Sequence, residues 1–309
     1  MSRGLLSVTV DLDPLDAYHA IHGLEPAPRA LRDHLSAVAI PRFRELFERL
    51  GLRATFFAVG QDLRSDRVAA LLREAVAAGH EVGNHTHTHP YGLLDLPPAE
   101  QAAEMDRCHE RIADATGVAP VGFRAPGYFL DGATLALLVE RGYRYDSSML
   151  PSWPYYAAKL AVLGRMGLQG RTSRSRLHPL TSLLSPDRPY RPDPERPWRR
   201  GNAPLLELPA ASLVAGVPLV GTFLGDLPRP APGLLARWLA ARSFIAVEFH
   251  AIDLVHPTDG GLDALRGHQP GLDVPLARRM ASYAALLAPL SRTAEPVTLH
   301  EAVRRLPSF

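Results

Sequence analysis

The chain has 309 residues, 46% of them hydrophobic and 7% aromatic, enough for one large barrel or two ordinary domains with a sizeable core. Formal net charge is +2 with histidines neutral, so the whole molecule makes no electrostatic case for nucleic acid, and a single cysteine excludes an intramolecular disulfide framework. The first residues, MSRGLLSVTVDLD, run straight into a predicted strand, and no stretch reaches the roughly 18–20 apolar residues of a membrane span, so the expected location is cytoplasmic.

In chain order, LLSVTVDLD (5–13) reads as the first core strand. A helix follows over AIPRFRELFERLG, whose Phe43, Leu46, Phe47 and Leu50 share one face. ATFFAVG (54–60) is a second strand, and the helix SDRVAALLREAVAAG after it is capped by Gly79. HEVGNH (80–85), a helix holding Cys108 as a partly buried small residue, VGFRAP (121–126), the helix DGATLALLVERG and YRYDSS (143–148) continue the alternation. PLLELPA (204–210), FIAVEFHAIDL (244–254), a helix around LARRMASYAALLAPL and a last strand turning into a helix, PVTLHEAVRRL, complete it. Such β/α repetition predicts a parallel sheet covered by helices. Asp11 and Asp13, His85, Arg124, Asp146 and His250 all fall at the C-terminal ends of predicted strands. In a closed barrel those ends ring one mouth, so the expected fold is α/β, a distorted (β/α)7-type barrel.

Residues 150–203 interrupt the pattern. The segment is proline-rich and carries ten basic residues (Lys159, Arg165, Arg171, Arg174, Arg176, Arg188, Arg191, Arg196, Arg199, Arg200) against Asp187, Asp193 and Glu195. One reading is a solvated irregular loop. The other is an insertion acting as a lid that meets an anionic group, either a substrate phosphate or a membrane surface. KLAVLGRMGL within it predicts a short amphipathic helix.

Residues 83–90, GNHTHTHP, place three histidines at alternate positions. His85 and His89 are four apart, a spacing that lets two imidazoles converge on one ion from successive helical turns or from a strand end that turns back. A zinc-protease helix requires glutamate after the first histidine, and Thr86 stands there instead. The alternation points His87 away from the face of the other two. On the first strand Asp11 and Asp13 share a face, and two core-side carboxylates are costly to bury unless paired or bound to a cation. Two histidines and a carboxylate with open positions suit zinc or another divalent transition metal, leaving the second carboxylate to act as a base on water.

These segments together resemble the polysaccharide deacetylase (NodB-homology) family, carbohydrate esterase family 4. The resemblance covers about 5–150 and 204–255, with the motifs in family order. VDLD separates the usually adjacent aspartates, as in an Asp-x-Asp subgroup. HTHTH is similar to the His-Ser/Thr-x-x-His signature, FRAPGY to Arg-x-Pro-x-Gly with the glycine one place early, EFHAID to the final histidine motif, and YDSS to a segment common in that subgroup. The resemblance implies a single NodB-like domain over 1–309 with 150–203 as an insertion or lid.

It further implies that Asp13, His85 and His89 bind a divalent metal, Zn2+ first with Co2+, Ni2+ or Fe2+ as alternatives. Asp11 would be the base, Arg124 would pair with and orient Asp11, and His250 would be the general acid. The backbone N–H of Tyr128 would help stabilise an oxyanion, and Asp146 would orient His250, with Asp253 as a rival. His19, His22 and His256 are expected to be loop histidines without a role.

The implied activity is removal of an N-acyl group, N-acetyl first, from an amino sugar or glycan. Alternatives are a deacetylase or deformylase of a lipid-, phosphate- or nucleotide-linked amino sugar, a non-sugar amidase, and an inactive carbohydrate-binding relative. A purely binding protein would need neither Asp11 nor His250. Peripheral membrane contact through the basic segment is the one further partner expected.

Overall fold

The computed structural model describes residues 3–210 and 216–306. β1 (Leu5–Asp11) is buried at every position because it runs through the middle of the sheet. After it come α1 (Leu15–Ile21), α2 (His34–Arg49), β2 (Ala54–Ala58), α3 (Asp66–Ala77), β3 (Glu81–Asn84), α4 (Pro98–Thr116), β4 (Gly122–Phe123), α5 (Gly132–Glu140) and β5 (Tyr145–Asp146). α6 (Trp153–Leu168), β6 (Leu206–Glu207), α7 (Gly221–Leu224), α8 (Ala231–Leu239), β7 (Phe244–His250), α9 (Leu276–Thr293), β8 (Glu295–Pro296) and α10 (Leu299–Arg305) complete the order.

The strands lie in the order β6-β5-β4-β3-β2-β1-β7, every neighbouring pair parallel, with β8 pairing the first residues of β1. Parallel strands covered on both faces read as unbroken apolar runs, which is why ATFFA and FIAVEFH carry so few polar residues. α2 supplies one cover. Its Phe43 and Phe47 pack on Phe249 of β7 and Phe56 of β2, with ring centroids 5.5 and 6.4 Å apart.

The sheet is a curled half-barrel rather than a fully closed one. Among the described residues β6 and β7 do not pair with each other, and only Val220 adds a bridge beside β7, to Glu248. β4, β5 and β6 are two residues each, shorter than the runs VGFRAP, YRYDSS and PLLELPA predict. Pro126, Pro204 and Pro209 lack the N–H that would extend two of these ladders.

Three helices were not legible: α1, α7 and α8. α1 has seven residues and no side-chain cap, and Pro230 and Pro232 at the start of α8 mask its pattern. His19 lies within α1 and is helical rather than a loop residue, while His22 follows the helix as its C-terminal cap. Cys108 is fully buried and donates to the Ala58 carbonyl at 3.3 Å. In the segment 150–203 the helix begins earlier than KLAVLGRMGL predicts, at Trp153, because the Ser152 hydroxyl caps it by accepting the Tyr155 N–H at 3.2 Å.

Candidate active site

Three side chains meet above the ends of β1 and β3. Asp13 Oδ1 lies 3.2 Å from His85 Nε2 and 3.2 Å from His89 Nε2. All three residues are buried, with one ligand atom each within 4.8 Å of the others. The turn leaving β3 creates this convergence. Asn84 Oδ1 accepts the Thr86 N–H at 2.8 Å, and the Thr86 hydroxyl accepts the His89 N–H at 3.2 Å. Thr86 and His89 adopt φ of 66° and 58°, left-handed values that cost a residue with a Cβ about 1–3 kcal/mol each. That strain folds the chain back, so the convergence comes from a strand end and not from helical turns. His87 turns the other way, with its Nδ1 only 2.7 Å from where a Cβ on Gly60 would stand.

His85 Nδ1 donates to the Arg124 carbonyl at 2.7 Å, so a neutral His85 presents its Nε2 lone pair to the Asp13 carboxylate. A lone pair and a carboxylate oxygen repel, and the contact requires a proton or a cation between them. Burial and the Asp11 and Asp13 charges act on His85 in opposite directions, and the carboxylates win, raising its pKa. Burial alone would raise Asp13, yet the charge of His89 and hydrogen bonds from both imidazoles hold it well below the usual carboxylate range. Two imidazole nitrogens and one ionised carboxylate fit a divalent transition metal.

Asp11 stands beside this cluster with its two oxygens in different roles. Oδ1 accepts from Arg124 Nη1 at 2.6 Å. Oδ2 is 3.9 Å from His85 Nε2 and 4.0 Å from His250 Nε2. Strand register brings the last pair together, since Asp11 and His250 are partners across β1 and β7. Arg124 is wholly buried and reaches Asp11 from beyond β4. Its Nε and Nη2 donate to the Ser147 carbonyl and hydroxyl at 2.9 and 2.8 Å, and Nη1 also donates to Thr9 Oγ1 at 2.9 Å. Burial lowers the His250 pKa, but the carboxylates of Asp13, Asp11, Glu248 and Asp253 outweigh it and raise the group to about 9.

Two expected roles do not match the geometry. Asp146 does not touch His250. It ends β5, with four strands between it and β7 in sheet order, where its carboxylate accepts the Ser148 hydroxyl and N–H at 2.7 and 3.1 Å. Ser148 in turn accepts the Ala125 N–H at 2.8 Å, so Asp146 braces the loop that carries Arg124. Asp253 accepts the His250 backbone N–H at 2.8 Å. Neither aspartate bonds the imidazole, whose Nδ1 is without a hydrogen-bond partner among the described residues. The Tyr128 N–H, expected to face an oxyanion, donates instead to the Ala125 carbonyl at 3.2 Å within its turn. Tyr128 reaches the site through its phenol, which donates to Glu248.

Glu248 is the site residue that the motifs did not single out. It is wholly buried, with its oxygens 3.6 Å from His250 Nε2 and 3.7 Å from Arg124 Nη1. Burial raises its pKa, Arg124 opposes this and Asp11 adds to it, for a value of about 7. The signal was present: in FIAVEFH one charged residue interrupts a core strand, two places before His250 and therefore on its face.

The site opens into a cavity of about 160 Å³ lined by Asp11, Asp13, His85, His89 and His250, with Tyr91, Tyr128 and Tyr155 as aromatic walls. A larger cleft of about 730 Å³ adjoins it, sharing His89 and Tyr91 and edged by Arg174 and Arg176.

A parallel half-barrel with carboxylates and histidines at its strand ends defines a class, the carbohydrate esterase family 4 fold. Over almost its whole length the chain superposes on a candidate polysaccharide deacetylase from Mycobacterium smegmatis (TM-score 0.61, 17% identity, 99% of this chain and 91% of that one). It also superposes on the chitin deacetylase of Colletotrichum lindemuthianum (TM-score 0.50, 16% identity, 97% and 88%). At these identities the likeness concerns the fold alone. Residues 33–145, which include His85, His89 and Arg124, match the polysaccharide deacetylase family model. In sequence it is 32% identical to the peptidoglycan deacetylase of Helicobacter pylori over 156 residues, 49% of this chain and 52% of that protein. It is 29% identical to the peptidoglycan-N-acetylglucosamine deacetylase of Bacillus cereus over 113 residues, 37% of this chain and 50% of that protein. The match thus spans about half the length of these two curated relatives.

Asp13→Ala and His89→Ala are each expected to reduce divalent metal in the purified protein from about one ion per chain to background, by mass-spectrometric metal analysis. His87→Ala is expected to keep the wild-type content. Full retention by Asp13→Ala would show that the ion is held elsewhere.

Proposed function

We propose that the chain hydrolyses an N-acyl group, N-acetyl in the first instance, from an amino sugar of a glycan. The observation that carries this reading is the position of Asp11 Oδ2, about equally far from a metal-type ligand, His85, and from the proton donor His250. A divalent cation on Asp13, His85 and His89 supplies Lewis acidity at the scissile carbonyl and makes water a stronger acid. Zinc is the first choice for that donor set. Asp11 Oδ2 takes a proton from the attacking water as its oxygen bonds to the carbonyl carbon. Arg124, fixed on Oδ1, keeps Oδ2 turned to the site. His250 Nε2 gives its proton to the amide nitrogen as the C–N bond breaks, leaving acetate and a free amine. The phenol of Tyr128 and the carboxyl of Glu248 hold the floor beneath His250. The names of the peptidoglycan deacetylase relatives support this reading, and the presence of both base and acid argues against an inactive binding protein.

A second reading of the substrate, a lipid-linked amino sugar met at a membrane surface, is favoured by α6. No described helix is long and apolar enough to cross a membrane. α6 nevertheless turns Trp153, Leu160, Val162 and Leu168 outward, 63, 51, 46 and 93% exposed. Arg165 and Arg174 lie on and after it, a charge sign that suits an anionic bilayer.

Asp11→Asn is expected to lower kcat by about 100-fold or more with metal content unchanged; a variant that keeps most of its turnover would remove Asp11 as the base. Activity is expected to fall as pH rises and His250 loses its proton. A cation on Asp13 cancels the largest of the influences that raise His250, so this limb should lie below about 9. Glu248 also raises His250, and Glu248→Gln should therefore move the limb to lower pH; a limb that stays in place would sever the two residues. Sedimentation with vesicles should distinguish the membrane reading. Wild type is expected to bind anionic but not zwitterionic vesicles and Leu160→Glu/Leu168→Glu to bind neither, whereas equal behaviour of both proteins would discard it.

A further inference from the structure

α6 walls the catalytic cavity, and it carries apolar residues on both of its sides. Tyr155, Lys159, Leu163 and Met166, at spacings of three and four, face the protein, while its apolar residues Leu160, Val162 and Leu168 face out. A lysine on a surface helix ordinarily extends its ammonium into water. Lys159 does the opposite and lines the same cavity as Asp11, Asp13, His85, His89 and His250.

The ammonium has three N–H donors and finds no carboxylate among the described residues to receive them. Its neighbours are the ring faces of Tyr155 and Phe129, with centroids 5.8 and 6.0 Å away. Such contacts accept no conventional hydrogen bond. The ionisable group beside it, His178, is buried and held neutral, its pKa pushed down to about 4 by burial and then by Lys159. Burial lowers Lys159 itself to about 8, with no opposing carboxylate, so the cation persists at neutral pH without a counter-charge. The acidic residues of the cavity are already engaged, Asp11 by Arg124 and Asp13 by His85 and His89. A half-buried cation lining the same cavity as the candidate site matches a ligand that brings its own negative charge.

We propose that Lys159 forms an anion subsite in the catalytic cavity, and that the substrate carries a phosphate or carboxylate group close to its acylamino group. This rests on the deacetylase reading and narrows it to acidic amino sugars. Lysine offers a point charge without the planar fork of arginine, so either oxyanion satisfies it.

The test compares kcat/KM for N-acetylglucosamine, its 1-phosphate and 6-phosphate, and N-acetylmuramic acid as the carboxylate-bearing arm, with wild type and Lys159→Met. Wild type is expected to prefer a phosphate or a carboxylate arm over the neutral sugar by about 10- to 100-fold, as for hydrogen bonds to a charged group. Lys159→Met should collapse that ratio chiefly through KM, and Lys159→Arg should restore part of it. The arm that is preferred identifies the anion. A wild-type ratio near one, or a ratio unchanged in Lys159→Met, overturns the proposal. Calorimetric titration with glucosamine 1-phosphate and with muramic acid, which have no acyl group to lose, separates this from the activity itself. Binding of either that Lys159→Met loses and Asp11→Asn keeps supports the subsite even if no acetyl sugar is hydrolysed. Turnover of acetyl sugars without Lys159-dependent binding or preference sinks the subsite and leaves the deacetylase reading standing.

Discussion

The buried guanidinium of Arg124 is the constraint on which the site depends. One side chain from the end of β4 meets Thr9 and Asp11 of β1, Ser147 beyond β5 and Glu248 of β7, and lies 4.3 Å above the Phe57 ring of β2. β4 and β1 are separated by two strands in the sheet, so these bonds exist only if the sheet curls. Removing a guanidinium from water costs several kcal/mol, and near-complete use of its donors is what makes the burial tolerable. Burial works against the charge, but Asp11 and Glu248 hold Arg124 firmly protonated.

Arg124 also acts through its backbone. Its carbonyl accepts a hydrogen bond from His85 Nδ1, so the loop that orients Asp11 through a side chain orients His85 through a peptide group. The two histidines then depend on a different device, the strained turn at Thr86 and His89. A strained turn persists only where neighbours over-determine it. Here Asn84 and the Thr86 hydroxyl do so from inside the turn, and the Gly60 N–H does so by donating to the Thr86 carbonyl at 3.0 Å. Gly60 has no Cβ to collide with His87, which leaves room for that ring to point away.

The parallel order, the polar strand ends and the convergence of Asp13, His85 and His89 were all legible, because each is a short-range pattern: continuous apolar runs, period-two faces and a four-residue spacing. What failed depended on distance in space. Asp146 and His250 both end strands, and nothing in YDSS or EFHAID reveals that four strands separate them. The Tyr128 amide was misplaced because the early glycine, Gly127 with φ 69°, reshapes the turn after Arg124 and commits that N–H to Ala125. Glu248 was overlooked for a related reason. Its strand is plain in FIAVEFH, but the partners that make its charge tolerable, Arg124 and Tyr128, are more than a hundred residues away in sequence.

Charge balance connects these parts. Asp11, Asp13 and Glu248 crowd one end of a small cavity, with Arg124 in contact with Asp11 and Glu248. Carboxylates crowded together where water is scarce must be met by protons or by a bound ion as well as by the guanidinium. In the structure His85 and His250 are both pulled toward their protonated forms, so the imidazoles carry the compensation. A divalent ion on Asp13 would take over that task at His85, whose Nε2 cannot hold a proton and a metal together. His250 is not one of the three residues Asp13, His85 and His89, and the nearby carboxylates still favour its protonated form. Asp13 lies 3.2 Å from both His85 and His89, while Asp11 Oδ2 lies about as far from His85 as from His250, so the carboxylates tie the three imidazoles into one charge-balanced cluster.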